Sequence, residues 1–304
     1  MPVRVVYRSR PIQYPLIAAM NKCNAWERAG LDLTYMDFVY GPSESDPMLI
    51  DGKVDFIFGS HITPYLHRSK GVPMVYVGQV VNWCDEWLVS SKPIHNLADL
   101  SGKVIADEST TLPNHPFGNR LLYLKRGGLE LSQVDFLETG RKSPAYLAVA
   151  EGKADAAIIS PPHDNDAREL GLHVVPLPWL PMIYATTLLT MWDTTQERPE
   201  LVRRIIQAVR YGVRFFKTEK KQMEKLMEDT IGPELGIHKD TYLQSLYQRN
   251  CLLLDESLYP RVDAIENAFR IANMMQHDLH EKVNPMELWD VHFLREVEKI
   301  EKIR

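Results

Sequence analysis

Short apolar runs alternate with amphipathic segments along the first two thirds of the chain. Residues 3–7 have the apolar, β-branched character of a strand. Residues 13–30 place Leu16 and Met20 at helical spacing and end at Gly30, which is typical of a helix and its stop signal. Further strand-like runs follow at 31–39, 54–60 and 73–81. Strands separated by helices in this way predict a parallel sheet with crossover helices.

The alternation restarts after residues 88–93, and the second series echoes the first. Residues 51–60, DGKVDFIFGS, align with residues 151–160, EGKADAAIIS. In both segments a glycine ends a helix, a buried strand follows, and a serine marks the end of the strand. The last third of the chain has helical periodicity. We therefore predict two α/β lobes with a helical C-terminal third, one lobe from residues 1–90 plus 184–304 and one from residues 91–183.

The composition narrows the class of protein. The chain has 304 residues, of which 45% are hydrophobic and 25% charged, so it can bury the core of an ordinary globular protein. Its formal net charge of −5 argues against nucleic acid as a partner, because such binding needs a basic surface. The three cysteines have neither paired nor zinc-type spacing. No run approaches ~18 apolar residues, so we expect no membrane insertion.

Two motifs carry a resemblance to a known family. They are LADLSGKVI, residues 97–105, and GKADAAIISPP, residues 152–162. Through them the chain resembles the sulfonate/nitrate/taurine-type solute-binding proteins, a branch of the type II periplasmic-binding-protein fold. The resemblance covers nearly the whole chain. It implies two α/β lobes, joined by two hinge crossings, that close on a ligand in the cleft between them.

Relatives in this group that lack a signal peptide are enzymes. They include aromatic sulfinate desulfinases, dihydroxyphthalate decarboxylases and the thiamine pyrimidine synthase. The cysteine-rich run of the pyrimidine synthase is absent here. Ser9, Arg10 and Pro11 stand where desulfinases carry their nucleophilic cysteine. These two departures put both activities in doubt.

Ligands of open α/β sheets bind beyond the carboxyl ends of the strands, so residues at these positions are the candidates. Arg10 can hold a carboxylate or sulfonate with two parallel hydrogen bonds. Helix N-termini suited to an anion follow several strand ends, and aromatic rings there would suit a flat organic body, although each such ring is more often part of the core. The predicted ligand-binding residues are Arg10, Tyr14, Ser60, Trp83, Glu86, Trp87, Thr111, Asn114, Ser160 and Tyr184.

Three histidines, His61, His115 and His163, also fall in loops at strand ends. A solute receptor has little need of three such residues, whereas a lyase could use them as acid and base groups. They are therefore the candidate catalytic residues and the candidate ligands of a divalent metal, although their long spacing matches no metal motif. The alternative for each is a neutral, hydrogen-bonded loop histidine. The other seven histidines, His67 among them, are interpreted as structural.

The leading hypothesis is an enzyme on a binding-protein fold. It would bind a small organic anion, an aromatic or heterocyclic carboxylate, and cleave a bond in it without an organic cofactor. The alternative is a non-enzymatic receptor that delivers such an anion, or a sulfonate, to an ABC permease; a weaker third is a cytosolic ligand sensor. The chain shows no signal peptide, which predicts a cytoplasmic location, or a periplasmic one if a signal precedes it in the gene. The C-terminal third leaves room for a homodimer contact.

Overall fold

A computed structural model describes residues 1–110, 115–140 and 143–303. The side chains of Arg10, His115 and Ile303 lie outside the description. The chain divides into two compact units. The first unit comprises Met1–Asn82 and Met182–Arg304, and the second unit comprises Trp83–Pro181. Among the described residues, no helix is both long and apolar enough to cross a membrane.

The strands form one five-stranded sheet in each unit. They are β1 (Pro2–Tyr7), β2 (Asp32–Phe38), β3 (Phe56–Phe58), β4 (Met74–Cys84), β5 (Trp87–Ser90), β6 (Val104–Asp107), β7 (Asp135–Glu138), β8 (Ala156–Ile159), β9 (His173–Pro176) and β10 (Leu180–Met191). The first sheet has the order β2-β1-β3-β10-β4, and the second has the order β7-β6-β8-β5-β9.

The helices follow most strands and dominate the end of the chain. The α-helices are α1 (Arg10–Lys22), α2 (Ala25–Arg28), α3 (Pro42–Ile50), α4 (Thr63–Arg68), α5 (His115–Arg126), α6 (Ala145–Ala150), α7 (His163–Glu169), α8 (Trp192–Glu197), α9 (Pro199–Thr218), α10 (Lys220–Leu226), α11 (Gly232–Leu235), α12 (Asp240–Leu253), α13 (Val262–Met275), α14 (Leu279–Lys282) and α15 (His292–Ile303). A π-helical turn spans Met227–Ile231, and 3-10 turns span Leu97–Leu100, Leu131–Gln133 and Pro285–Leu288. The predicted α/β class and helical C-terminal third are confirmed.

Both sheets are mixed, which corrects the expectation of purely parallel ones. In the first unit, β1 pairs in parallel with β2 and β3, but β10 runs antiparallel to β3. In the second unit, β6 pairs in parallel with β7 and β8, but β5 runs antiparallel to β8 and β9. Each antiparallel strand lies next to a point where the chain passes from one unit to the other, so its direction is set by the crossing and not by a helix.

The units divide earlier than the predicted lobe boundaries. The sequence placed the change after residue 90 and the return after residue 183, whereas the compact units divide after Asn82 and after Pro181. The reason lies in β5, because Trp87 pairs with Ile159 of β8 and with Pro176 of β9. The sequence predicted only a change of pattern at residues 88–93, and the ladder partners of β5 assign this strand to the second sheet.

The repeated segments adopt the same local structure one hundred residues apart. Gly52 and Gly152 end their helices with φ of 67° and 70°, a conformation that glycine adopts without strain. Beyond them, a carboxylate oxygen of Asp55 accepts a hydrogen bond from the Arg4 backbone N–H at 2.8 Å. Asp155 accepts one from the Val104 backbone N–H at 2.9 Å. Each aspartate thus ties the start of the repeated strand, β3 or β8, to its parallel neighbour, β1 or β6.

Candidate functional site

Arg8 is the first residue after β1, and its side chain is half-buried. Its Nη1 donates a hydrogen bond of 2.7 Å to Ser60 Oγ, at the end of β3. Its buried Nε has no hydrogen-bond partner among the described residues. Burial lowers the pKa of the Arg8 guanidinium, although nearby Asp46 opposes that effect. The result is a sheltered cation with hydrogen-bonding capacity left over.

The backbone brings Arg8 and Ser60 together through Gly59. Gly59 has φ of 134°, and a Cβ added there would lie 3.0 Å from Arg8 Cβ. Ser60 itself has φ of 61°, which is uncommon for a residue with a side chain. Such backbone strain at a strand end is typical of positions selected for a function, because the surrounding structure must hold it in place.

Ser60 connects Arg8 to a buried carboxylate, Asp46, which lies on α3 and is 1% exposed. Burial by itself would raise the pKa of Asp46, but its hydrogen bonds outweigh burial and hold the pKa below the usual range. Asp46 is therefore the ionised counter-charge for Arg8. Its side-chain donors are Ser45 Oγ at 3.1 Å, Ser60 Oγ at 2.6 Å, Thr63 Oγ1 at 2.5 Å and His67 Nε2 at 3.2 Å.

His61 directly follows Ser60, and its ring is hydrogen-bonded to buried residues of the first unit. Its Nδ1 lies 2.9 Å from Thr187 Oγ1 on β10. Thr187 Oγ1 in turn donates a hydrogen bond of 2.6 Å to Gln79 Oε1 on β4. The two residues behind the ring are completely buried, so the imidazole is anchored on one side by a dry hydrogen-bond chain.

The second unit has its own buried polar cluster, centred on Glu86 between β4 and β5. Glu86 is 1% exposed, and its Oε2 lies 3.6 Å from Arg120 Nε on α5. Burial raises the pKa of Glu86 to about 7, and the Arg120 charge offsets only part of that effect. A carboxyl group with this pKa can both give and take a proton at neutral pH.

Around Glu86 the hydrogen bonds are few and long. Ser160 Oγ donates to Glu86 Oε1 at 3.4 Å, and Cys84 Sγ donates to the same oxygen at 3.5 Å. The shorter contact of Arg120 is with a different carboxylate. Its Nη1 donates a hydrogen bond of 2.5 Å to Asp107 Oδ1. The weak donor set explains why burial dominates the pKa of Glu86.

The predicted catalytic histidines do not form one cluster within either unit. His61 belongs to the first unit. His163 opens α7 in the second unit, where its ring lies 5.6 Å from the Tyr146 ring and its Nδ1 is 3.5 Å from Asp166 Oδ2. The side chain of His115 is outside the described residues. Within the described part of the chain, no group of three or more His, Cys, Asp or Glu side chains could hold a metal ion.

The other predicted ligand-binding residues are spread over both units. In the first unit, Tyr14 is half-buried on α1 and Tyr184 is buried on β10. In the second unit, the Trp83 ring lies 6.1 Å from the Trp179 ring, and the Arg168 guanidinium lies 4.6 Å from the centre of the Trp87 ring. Four predictions fall on undescribed parts: Thr111 and Asn114 entirely, and Arg10 and His115 in their side chains.

Sequence reasoning missed the residues that organise both clusters. Arg8 was recognisable as the first residue after β1, but Arg10 was preferred to it. Asp46 and Asp107 gave no signal, because each lies inside a helix or strand, α3 or β6, where a carboxylate is usually solvated. Arg120 was hidden in the same way on an amphipathic helix. The one available sign was a charged residue on an otherwise apolar helix face.

A comparison with family models decides the relationship. The NMT1/THI5-like family model matches residues 14–222. The chain belongs to the NMT1/THI5-like family. The resemblance to solute-binding proteins and their enzyme relatives is thereby confirmed. A search of curated proteins finds no match for this NMT1/THI5-like chain.

Solved structures share the fold of this NMT1/THI5-like protein at low sequence identity. The periplasmic sulfonate-binding protein SsuA from Methylobacillus flagellatus KT has a TM-score of 0.73 and 14% identity, over 100% of this chain and 96% of that chain. The periplasmic aliphatic sulphonate-binding protein SsuA from Escherichia coli has a TM-score of 0.69 and 16% identity, over 93% and 92%. The desulfurization enzyme DSZB has a TM-score of 0.63 and 17% identity, over 99% and 100%. The fold therefore serves binding proteins and at least one enzyme.

Proposed function

We propose that this protein binds a small organic anion and that Arg8 is its anion anchor. The observation that carries the proposal is the guanidinium itself, which is half-buried, bonded to Ser60 and left with an unpartnered Nε. A buried donor without a partner costs free energy, so an acceptor on a bound ligand would stabilise this group. A carboxylate or sulfonate supplies two acceptor oxygens that match the guanidinium fork.

The ligand class follows from the charge and from the family. Asp46 already balances the charge of Arg8, so a bound monoanion leaves the cluster neutral only when His67 is protonated. The SsuA relatives are named for binding sulfonates. The aromatic side chains predicted near the site suit a ligand with a flat body, and an aromatic carboxylate or sulfonate meets both conditions.

Calorimetry with benzoate, phthalate and ethanesulfonate tests this proposal. Arg8→Lys keeps the charge but removes the fork, and Arg8→Ala removes both, so we expect roughly 10-fold and 100-fold weaker binding, on the scale of a charge-assisted hydrogen bond of about 1.5–3 kcal/mol. Arg10→Lys tests the residue that the sequence favoured. Arg261→Ala removes an exposed arginine of the same unit and serves as the control. Unchanged affinity in both Arg8 variants would reject Arg8 as the anchor.

A second function, lyase chemistry of the decarboxylase type, is favoured by Glu86. Protonation of a carbanion-like centre needs an acid whose pKa lies near the working pH. Glu86, with a pKa of about 7, meets this condition. The structural alternative is that Glu86, Arg120 and Asp107 form a buried ion network that only holds α5 against the sheet.

Turnover separates the two interpretations of Glu86. If it is an acid, Glu86→Gln should keep binding yet lower turnover of an aromatic carboxylate by ~10²–10⁴-fold. His61→Ala and His163→Ala test the predicted histidines in the same assay. Glu151→Gln, an exposed glutamate of the same unit, is the control. Wild-type protein that binds benzoate or phthalate and leaves each unchanged would place the chain with the receptors.

Four further predictions accompany the proposal: a permease partner, a cellular location, a divalent metal and a homodimer. A receptor would need an ABC permease as its partner, and cell fractionation would decide between the predicted cytoplasmic location and the periplasmic location named for the SsuA relatives. Elemental analysis of purified protein tests for a divalent metal. Sedimentation tests the homodimer predicted from the C-terminal third.

A further inference from the structure

The ring of His61 is tied to the interior of the first unit by a hydrogen-bond chain through Thr187 and Gln79. His61 Nδ1 lies 2.9 Å from Thr187 Oγ1, which lies 2.6 Å from Gln79 Oε1. Both Gln79 and Thr187 are 0% exposed, so water does not compete for these bonds. Because water takes no part, the bonded groups alone dictate the direction of each hydrogen bond.

The Gln79 amide can adopt only one of its two flipped orientations. Its Nε2 lies 2.5 Å from the carbonyl oxygen of Val81 and 3.1 Å from that of Ala185. Both of these groups accept hydrogen bonds only, so the amide nitrogen must face them. An amide turned the other way would place its oxygen against two carbonyl oxygens. The atom that faces Thr187 is therefore Oε1, which cannot donate.

The Thr187 hydroxyl donates its proton to Gln79. It has one proton, and at 2.6 Å from an acceptor oxygen that proton must lie between Oγ1 and Oε1. Toward His61, the same oxygen can then only accept. His61 Nδ1 must consequently carry a proton, in the neutral ring as well as in the charged one.

We propose that Gln79 and Thr187 are positioning residues that hold a proton on His61 Nδ1, so that Nε2 is the nitrogen that gains and loses a proton. The link to the proposed function is that His61 directly follows Ser60, the contact of the anion anchor Arg8. An unprotonated Nε2 can only accept a hydrogen bond, so any group that hydrogen-bonds to it in the neutral ring must be a donor.

Nitrogen NMR of ¹⁵N-histidine-labelled protein without ligand tests the proton placement. His61→Gln identifies the His61 signals by their loss. At alkaline pH, where the ring is neutral, we expect the Nδ1 shift of a protonated nitrogen and the Nε2 shift of an unprotonated one. Thr187→Val keeps the shape but removes the hydroxyl, so both shifts should move toward those of the opposite tautomer.

Two variants separate positioning from general damage. Thr187→Ser keeps the hydroxyl and should retain the wild-type shifts. Thr186→Val is the matched control, since Thr186 is 1% exposed and its Oγ1 has no hydrogen-bond partner among the described residues. This variant removes a neighbouring hydroxyl that is not part of the His61–Thr187–Gln79 hydrogen-bond chain. The nitrogen shifts of His61 should therefore stay unchanged.

Either of two results would overturn the proposal: a wild-type ring with its proton on Nε2, or wild-type shifts in Thr187→Val. If Thr187→Val does not fold, the wild-type spectrum alone still decides. The test uses no ligand, so it is separate from the calorimetry. Protein with the proton on Nδ1 that binds neither benzoate, phthalate nor ethanesulfonate would refute anion binding and leave the proton placement intact.

Discussion

The two units place a serine at the end of the same repeated strand, and each serine donates to a buried carboxylate. In the first unit, Ser60 donates to Asp46 at 2.6 Å. In the second unit, Ser160 donates to Glu86 at 3.4 Å. Both carboxylates are 1% exposed, yet the pKa of Asp46 is lowered and that of Glu86 is raised to about 7.

The difference lies in the donors and not in the burial. Asp46 accepts hydrogen bonds from four side chains, three of them hydroxyls that can rotate to suit a charge. Glu86 receives two long bonds on Oε1, and its Oε2 accepts none from the described residues. Equal burial thus gives a group that is charged at neutral pH in one unit and a group that titrates near neutral pH in the other.

Removal of Asp46 should have the largest effect. Asp46→Ala leaves the Arg8 charge without its buried counterpart and removes the acceptor of four donors, so we expect a loss of about 3–5 kcal/mol in the free energy of unfolding. Urea denaturation measures it. Asp51→Ala, which removes an exposed carboxylate just after α3, is the control. A loss below about 1 kcal/mol would mean that Arg8 is balanced by something other than Asp46.

The raised pKa of Glu86 should make the folded state less stable as the pH rises. Its folded pKa of about 7 exceeds the ordinary value of 4.5, so the folded state holds this proton more tightly than the unfolded state. The resulting stability is complete below pH 4.5 and is lost as pH rises to about 7, on the order of 3 kcal/mol at ~1.4 kcal/mol per pKa unit.

Unfolding of Glu86→Gln in urea across this pH range isolates that effect. The variant cannot ionise, so its stability should fall less than that of the wild type between pH 4.5 and 7. Glu151→Gln should follow the wild-type curve. Parallel curves for wild type and Glu86→Gln would show that Glu86 has an ordinary pKa, and the contrast with Asp46 would disappear.

The two serines should differ by a smaller amount. Ser60→Ala removes a short bond to a carboxylate and the acceptor of Arg8 Nη1, for which we expect a loss of about 1.5–3 kcal/mol. Ser160→Ala removes one long bond and should cost about 0.5–1 kcal/mol. Thermal unfolding of both variants gives the comparison directly. Equal losses would indicate that Ser60 contributes no more to its cluster than Ser160 does.

Substitution of the two repeat glycines, Gly52 and Gly152, should destabilise the protein equally. Gly52→Ala and Gly152→Ala each force a side chain into the left-handed region, while no atom lies within 4 Å of the added Cβ. We expect nearly equal losses of about 1–2 kcal/mol from the backbone alone, measured by urea unfolding. Clearly unequal losses would contradict an equivalent local structure.

Much of the fold was accessible from periodicity, because local patterns record local burial. The repeat of residues 51–60 at 151–160 predicted two α/β units and located both strand-end serines. Strand direction was not accessible, since β5 and β10 run antiparallel to their neighbours for reasons of chain path. Ser60, Glu86 and Ser160 were predicted as site residues, and the structure places each in a polar cluster; their binding role stays a prediction.

The sequence by itself determined which residues lie at strand ends, because hydrophobic alternation stops there. Only the tertiary structure decided what those residues contact. Asp46, Arg120, Gln79 and Thr187 lie inside helices or strands whose pattern says nothing of a partner far along the chain. Gln79 and Thr187 are 108 residues apart, yet their 2.6 Å hydrogen bond fixes the proton of His61. Protonation depends on the donors within a few ångströms, and chain folding alone brings such donors together.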